Sequence, residues 1–154
     1  MKTPLEESRQ ETINALQSII EKNYDAEKGY KKAMEDAENP ALRGFLQQQA
    51  AKRSNYATAI DQELRLLGEQ PKESGSVTGS LHRAWIDIKS TVAGNTDEAV
   101  LEEVIRGEKA SVEDYQDALN KPNLAPQINN VLQTQLNDIQ STLNKVKRLE
   151  DITS

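Results

Sequence analysis

Four times along this chain, apolar residues return at every third or fourth position, turn after turn. That spacing is compatible with little besides long amphipathic helices. The first run steps through Ile13, Leu16, Ile20, Asn23, Glu27, Tyr30, Met34 and Ala37, and the second through Leu42, Leu46, Gln49, Arg53, Tyr56, Ile60, Leu64 and Leu67. The third takes Leu101, Ile105, Glu108, Val112, Tyr115 and Leu119, and the fourth Ile128, Val131, Gln135, Ile139, Thr142, Val146 and Leu149. No segment sustains the period-two alternation of a half-buried strand.

Punctuation between the runs supports this reading. Thr3-Pro4-Leu5-Glu6 has the spacing of a capping box with proline at the first helical position. Asn39-Pro40 reads as an N-cap followed by proline, Gly68 as a residue just past a helix end, and Asn95 or Thr96 and Asn123 as the caps of later helices. Between Gly68 and Asn95 a Gly/Ser-rich stretch, "GEQPKESGSVTGS", leads into the short amphipathic segment "LHRAWIDIKSTVAG". The spacing predicts helices over about 4–38, 40–67, 80–93, 96–120 and 124–150 in a single domain covering 1–154.

The connections predict the topology. Short links join helix one to two and three to four, so each pair forms an antiparallel hairpin. The stretch from Gly68 to Asn95 is far longer than a turn needs and can span a bundle about 35–40 Å long. A four-helix bundle with one long crossover, here carrying a short extra helix, is the ferritin-like arrangement. The expected fold class is therefore all-α, a ferritin-like four-helix bundle, with Trp85 docking the crossover on the bundle flank.

Six polar residues interrupt the apolar runs: Asn23, Glu27, Gln49, Arg53, Glu108 and Gln135. All fall near mid-helix, which is expected if they form one buried layer rather than scattered errors of pattern. "EKGYKKAMEDAENP" and "EKASVEDYQDALNKP" place Glu27 and Glu108 at matching points of the two hairpins. In ferritin-like di-metal proteins such a layer holds the metals, through a Glu from each of two helices and Glu-x-x-His from each of the others. Glu27 and Glu108 are the metal candidates by that comparison, but no Glu-x-x-His occurs and the one histidine, His82, lies on the crossover. Arg53 offers the alternative: a guanidinium bridging two carboxylates, with Gln49, Gln135 and the hydroxyls of Tyr30, Tyr56 and Tyr115 meeting the remaining hydrogen-bond demand, and Asp138 at the edge.

Other classes of function find less support. Without cysteine there is no disulfide, thiolate site or Cys nucleophile. A net charge of −6 argues against nucleic acid, and no apolar run reaches the length of a membrane span. Serines of the 74–80 loop have no base beside them. His82 and Trp85, three apart, could share a face toward a ligand, but packing of Trp85 accounts for them more simply. A cytoplasmic protein without a leader is expected.

The stretches "EKGYKKAMEDAENPALRGFLQQQAAKRSNYA", "LGEQPKESGSVTGSLHRAWIDIK" and "DEAVLEEVIRGEKASVEDYQDAL" resemble a family of small bacterial ferritin-like four-helix-bundle proteins of unassigned function. The Gly-Ser loop entering "LHRAWIDIK" is the most specific part of the likeness. The resemblance implies a bacterial source, a stress-related setting and no established reaction. It also implies a histidine late in helix four, where this chain has Leu143.

The expected function is therefore non-enzymatic: a bundle that acts through self-association or a partner, as a homo-oligomer such as a dimer, with no catalytic residue, no cofactor and a buried Glu/Arg/Gln layer in place of metals. The alternative is a di-metal carboxylate protein, an oxidase or an iron or manganese store. A third reading has the amphipathic crossover bind lipid or a partner.

Overall fold

The computed structural model describes residues 2–71 and 97–153. Its helices are α1 (Pro4–Asp36), α2 (Pro40–Leu66), α3 (Asp97–Leu119), α4 (Pro126–Lys145) and the single turn α5 (Glu150–Thr153). The predicted helix over 80–93, with His82 and Trp85, and the cap at Asn95 or Thr96 lie outside the described residues.

Local chemistry sets the ends. Thr3 forms the complete capping box with Glu6, and the Asn39 side chain accepts from the backbone N–H groups of Ala41 and Leu42. At the close of α2, Gly68 adopts φ +79°, while the Glu69 N–H reaches back to the Leu64 carbonyl. This left-handed closure is one that glycine permits without steric cost.

Two of the sequence expectations for the fourth helix need correction. Its N-cap is Ala125, without a side-chain cap. Asn123 instead belongs to the turn tied to α1, donating its N–H to Glu11 and accepting from Ser8 through its carbonyl. The helix also stops at Lys145 rather than continuing to 150. The Asp151 carboxylate accepts from the backbone N–H groups of Lys147 and Arg148, which breaks the helix and starts α5. Val146, Leu149 and Ile152 thereby fold over the end of the core instead of extending a straight stripe.

Side-chain pairs give the helix directions. Going from Asn23 to Tyr30 on α1, the partners on α3 fall from Tyr115 to Glu108, so the two helices are antiparallel. Going from Tyr56 to Glu63 on α2, the partners on α4 fall from Asp138 to Gln127, so these also run oppositely. Residues 37–39 turn α1 back into α2. Both α2 and α3 therefore oppose α1 and are parallel to each other. This geometry is that of a ferritin-like all-α bundle.

The buried seam of α1 repeats every seven residues. Leu16, Asn23, Tyr30 and Ala37 form one column, and Thr12, Ile19, Ala26 and Ala33 the other. A seven-residue repeat is the geometry of helices that supercoil left-handedly so as to stay in contact. On α3 the same construction gives Leu101, Glu108 and Tyr115 beside Val104, Ser111 and Ala118. The apolar core falls into two clusters, one around Leu16, Ile60 and Leu132, the other around Ala33, Leu46 and Leu101.

One contact closes the far end. The Asp97 carboxylate accepts from the backbone N–H groups of Glu38 and Asn39 at 2.8 and 2.9 Å, clipping the start of α3 onto the α1–α2 turn. Replacing Asp97 by Ala is expected to cost about 1–3 kcal/mol in urea unfolding, the range for hydrogen bonds to a charged group, with Asp97→Asn falling between the two.

Candidate functional site

The centre of the site is a charged pair on the bundle axis. Arg53 of α2 is 2% exposed and Glu108 of α3 is 3% exposed. They belong to diagonally opposed helices, and Arg53 Nη2 lies 2.8 Å from Glu108 Oε1. Taking either charge out of water alone would cost several kcal/mol, so each depends on the other and on full hydrogen bonding around the pair.

The neighbours supply it. Tyr30 of α1 donates its hydroxyl to Glu108 Oε1. Arg53 Nη1 donates to Asn23 Oδ1 at 2.9 Å, and Asn23 Nδ2 donates to the Ile19 carbonyl at 3.1 Å and to the Tyr115 hydroxyl at 2.8 Å. Tyr115 donates its own hydroxyl to Gln135 Oε1 of α4 at 2.7 Å, and Gln135 Nε2 donates to the Tyr56 carbonyl at 3.3 Å. One connected path thus touches all four long helices. Gln49, one turn before Arg53, is buried on the same side of α2.

A second, wetter branch lies beside the first. The Arg53 guanidinium carbon sits 5.9 Å from the centre of the Tyr56 ring, a distance at which a cation is attracted by the ring face. The Tyr56 hydroxyl donates outward to Asp138, which also pairs with Lys52 at 3.4 Å near the surface. Asp138 is therefore a partner of Tyr56 and Lys52, not of the central pair.

Glu27 does not join the layer, which corrects the sequence expectation. Its side chain is 22% exposed and pairs with Lys31 at 2.7 Å on the same helix. The cause is the choice of column. Ile13, Ile20, Glu27 and Met34 follow one another at seven-residue spacing, and Ile13 and Ile20 are buried, but the column leaves the core by Glu27 and Met34 is only partly buried. The seam column is Thr12, Ile19, Ala26 and Ala33, whose small members make a weaker pattern in the sequence. Glu27 stands on the flank of that seam. The central layer accordingly holds one carboxylate and one guanidinium, not two carboxylates bridged by an arginine.

This donor set does not fit a di-metal centre. Among the described residues no group of three or more His, Cys, Asp or Glu is close enough to hold a metal ion. The one central carboxylate already accepts from Arg53 and Tyr30, and a guanidinium would face any cation placed there.

The phenols are held neutral. Burial, and next the charge of Glu108, raise the Tyr30 pKa well above that of an ordinary phenol. Burial pushes Tyr115 up to about 12, against the opposing pull of Arg53. Burial and the hydrogen bond to Asp138 raise Tyr56. For Arg53, burial acts to lower the pKa, but Glu108 and the surrounding phenols outweigh it, so the net direction is upward and the guanidinium stays charged. At neutral pH the layer is an array of protonated phenols and a charged guanidinium around one carboxylate.

A family model described as "Domain of unknown function (DUF2383)" matches residues 11–121. Among solved structures, a Dps1 mutant from Mycobacterium smegmatis superposes with a TM-score of 0.77 at 16% identity, covering 89% of this chain and 93% of that one. No curated protein matches. At that identity the superposition speaks for the fold alone.

Three outcomes follow from the layer. Arg53→Ala is expected to destabilise the protein by about 3–5 kcal/mol by stranding Glu108, and Arg53→Met combined with Glu108→Gln to recover most of that loss. Glu27→Ala is expected to change chemical-denaturation stability by no more than about 0.5 kcal/mol, the scale of an exposed i,i+4 pair; a loss of several would return Glu27 to the core. The raised phenol pKa values make the folded state bind more protons than the unfolded state above pH ~10, so the stability they contribute is intact below that pH and fades above it. Tyrosine ionisation followed at 295 nm should therefore coincide with loss of helical circular dichroism rather than precede it.

Proposed function

This chain belongs to the DUF2383 family, a domain of unknown function, and on that premise we propose that it is a non-enzymatic ferritin-like bundle acting through self-association or a protein partner. In this reading the position of a di-metal site is filled by the buried Arg53–Glu108 layer. The observation that carries it is the 2.8 Å pair on the bundle axis, closed off by Tyr30, Asn23 and Tyr115. It supplies charge neutrality and hydrogen-bond saturation where a metalloprotein would need free carboxylates and imidazoles.

Everything that could bind is thereby moved to the surface. None of the described helices is long and apolar enough to cross a membrane, and the net charge of −6 favours a protein partner over nucleic acid. We place the chain as one domain in the bacterial cytoplasm in a stress-related setting, on the strength of the family likeness quoted from its sequence.

Metal analysis is the deciding experiment. Protein purified from cells grown with added iron and manganese is expected to contain only substoichiometric metal, and Fe(II) added without oxygen should leave its thermal midpoint unchanged. Stoichiometric iron or manganese that survives dialysis would overturn the proposal in favour of a di-metal carboxylate protein.

A further inference from the structure

Charge is unevenly divided among the helices. Together α1 and α3 hold 16 carboxylates and 7 basic residues, whereas α2 and α4 hold 3 carboxylates and 5 basic residues. Most of the latter are matched within the chain: Arg53 pairs with Glu108, Lys52 with Asp138 and Arg65 with Asp61. What the helices show to solvent differs further. The exposed residues of α3 include Glu98, Glu102, Arg106, Lys109, Glu113 and Asp117. On α2 every exposed residue from Gly44 to Gln62 is uncharged, and the same holds on α4 from Gln127 to Asn144.

These uncharged positions surround one bridge between two neighbouring helices. Lys52 of α2 lies 3.4 Å from Asp138 of α4. Gln48 and Asn55 stand one turn to either side of Lys52, and Thr134 and Ser141 one turn to either side of Asp138. Gln48, Asn55 and Gln62 recur at seven-residue intervals, as do Gln127, Thr134 and Ser141. That interval keeps a column along one side of a supercoiled helix. Gln127 donates to Glu63 of α2, which sets its column on the flank toward α2. The two columns therefore frame a wall of amides and hydroxyls whose central charges cancel.

Such a wall suits a second copy of this chain better than a partner of another kind. An oppositely charged partner is drawn to α1 and α3, where the carboxylates lie. For an apolar partner the wall offers little: among the described residues the exposed large hydrophobic side chains are Leu5 and Leu66, neither of them in these columns. Two copies carrying −6 each repel through their acidic helices, and at the wall they approach without setting like charges together. Amides and hydroxyls each donate and accept, so a face built of them can pair with itself, as a two-fold contact requires. The size is adequate as well. The 20 residues of α4 make it about 30 Å long, and two helices each about 10 Å wide give a flat area of about 600 Å² per copy. Each partner in a standard interface buries about 800 Å².

We propose that the α2–α4 wall is the surface on which two copies of this chain meet face to face, which deepens the self-association reading above and rests on it. The groups that meet are polar and exchange water for one another, so the dimer is reversible.

Sedimentation equilibrium of the full chain over a wide concentration range is expected to show a reversible monomer–dimer equilibrium. Asn55→Glu combined with Thr134→Glu sets like charges against each other across the contact and should weaken it by about tenfold or more. Helical circular dichroism should not change, since both positions are exposed. Gln10→Glu combined with Gln116→Glu adds the same charge at exposed positions of α1 and α3, and should leave association within about twofold of the wild type at physiological salt. Chains with the Asn55→Glu and Thr134→Glu pair, mixed with chains carrying Asn55→Lys and Thr134→Lys, should form a mixed dimer tighter than either variant forms alone. Equal weakening by the two glutamate pairs, a dimer indifferent to the wall pair, or a mixture no tighter than its components overturns the wall and leaves self-association standing. Species that grow beyond the dimer overturn the two-fold contact. A chain that stays monomeric at every concentration removes both the wall contact and the self-association reading.

Discussion

A guanidinium and a carboxylate on the axis of an apolar bundle set the conditions for everything around them. Neither Arg53 nor Glu108 has water to turn to, so their pairing at 2.8 Å must be accompanied by donors and acceptors at fixed places. Tyr30 meets the carboxylate, Asn23 meets the guanidinium, and Tyr115 and Gln135 carry the chain of bonds to the fourth helix. Each of those side chains has to sit at one level of its own helix. The layer therefore acts as a register mark: a slip of one heptad in α2 or α3 would move a charge into one of the two apolar clusters, and a slip in α1 or α4 would remove the polar partners Asn23, Tyr30 or Gln135 from the layer. The energetic worth of such a pair against an apolar replacement is small or negative, so its value here lies in excluding alternative packings.

The topology and the pair explain each other. In a bundle whose helices follow one another around the square, α2 and α3 would be neighbours. Here both are antiparallel to α1, and they occupy opposite corners. Arg53 has one of the longest side chains available, and it reaches across the axis to Glu108 rather than along a flank. A diagonal contact lies within reach of all four helices at once, which is why one path of hydrogen bonds can join them. Shortening this cation, even to a residue of like charge, would sacrifice the planar fork that serves Asn23 and Glu108 together.

Much of this was legible in the sequence. Thr3-Pro4, Asn39-Pro40 and Gly68 marked helix ends through chemistry that acts locally, and the long stretch after Gly68 implied that α2 and α3 run the same way. Asn23, Gln49, Arg53, Glu108 and Gln135 stood out as polar residues in an apolar rhythm, and each is buried. Glu27 was misread for a physical reason. Steps of three and four fit two adjacent columns on α1, and the column of Ile13 and Ile20, buried in the first half of the helix, turns to the flank at Glu27, where Ala26 holds the core position. Alanines at 26 and 33 give little hydrophobic signal, yet they are what allow α1 to approach its neighbours closely. The break after Lys145 was hidden for a different reason, because the Asp151 side chain acts on backbone groups three and four residues earlier, and periodicity alone does not register it.

The saturation of the layer also limits where function can reside. A catalytic group needs a proton to move or an orbital to offer, and here the phenols are held protonated, the guanidinium is held charged, and the carboxylate oxygen that faces them accepts from both. Loading a cation would require Arg53 to withdraw, and its removal would leave Asn23 Oδ1 without its donor and Glu108 without its counter-charge. Metal binding and the observed packing are thus competing states of the same few side chains rather than additive properties.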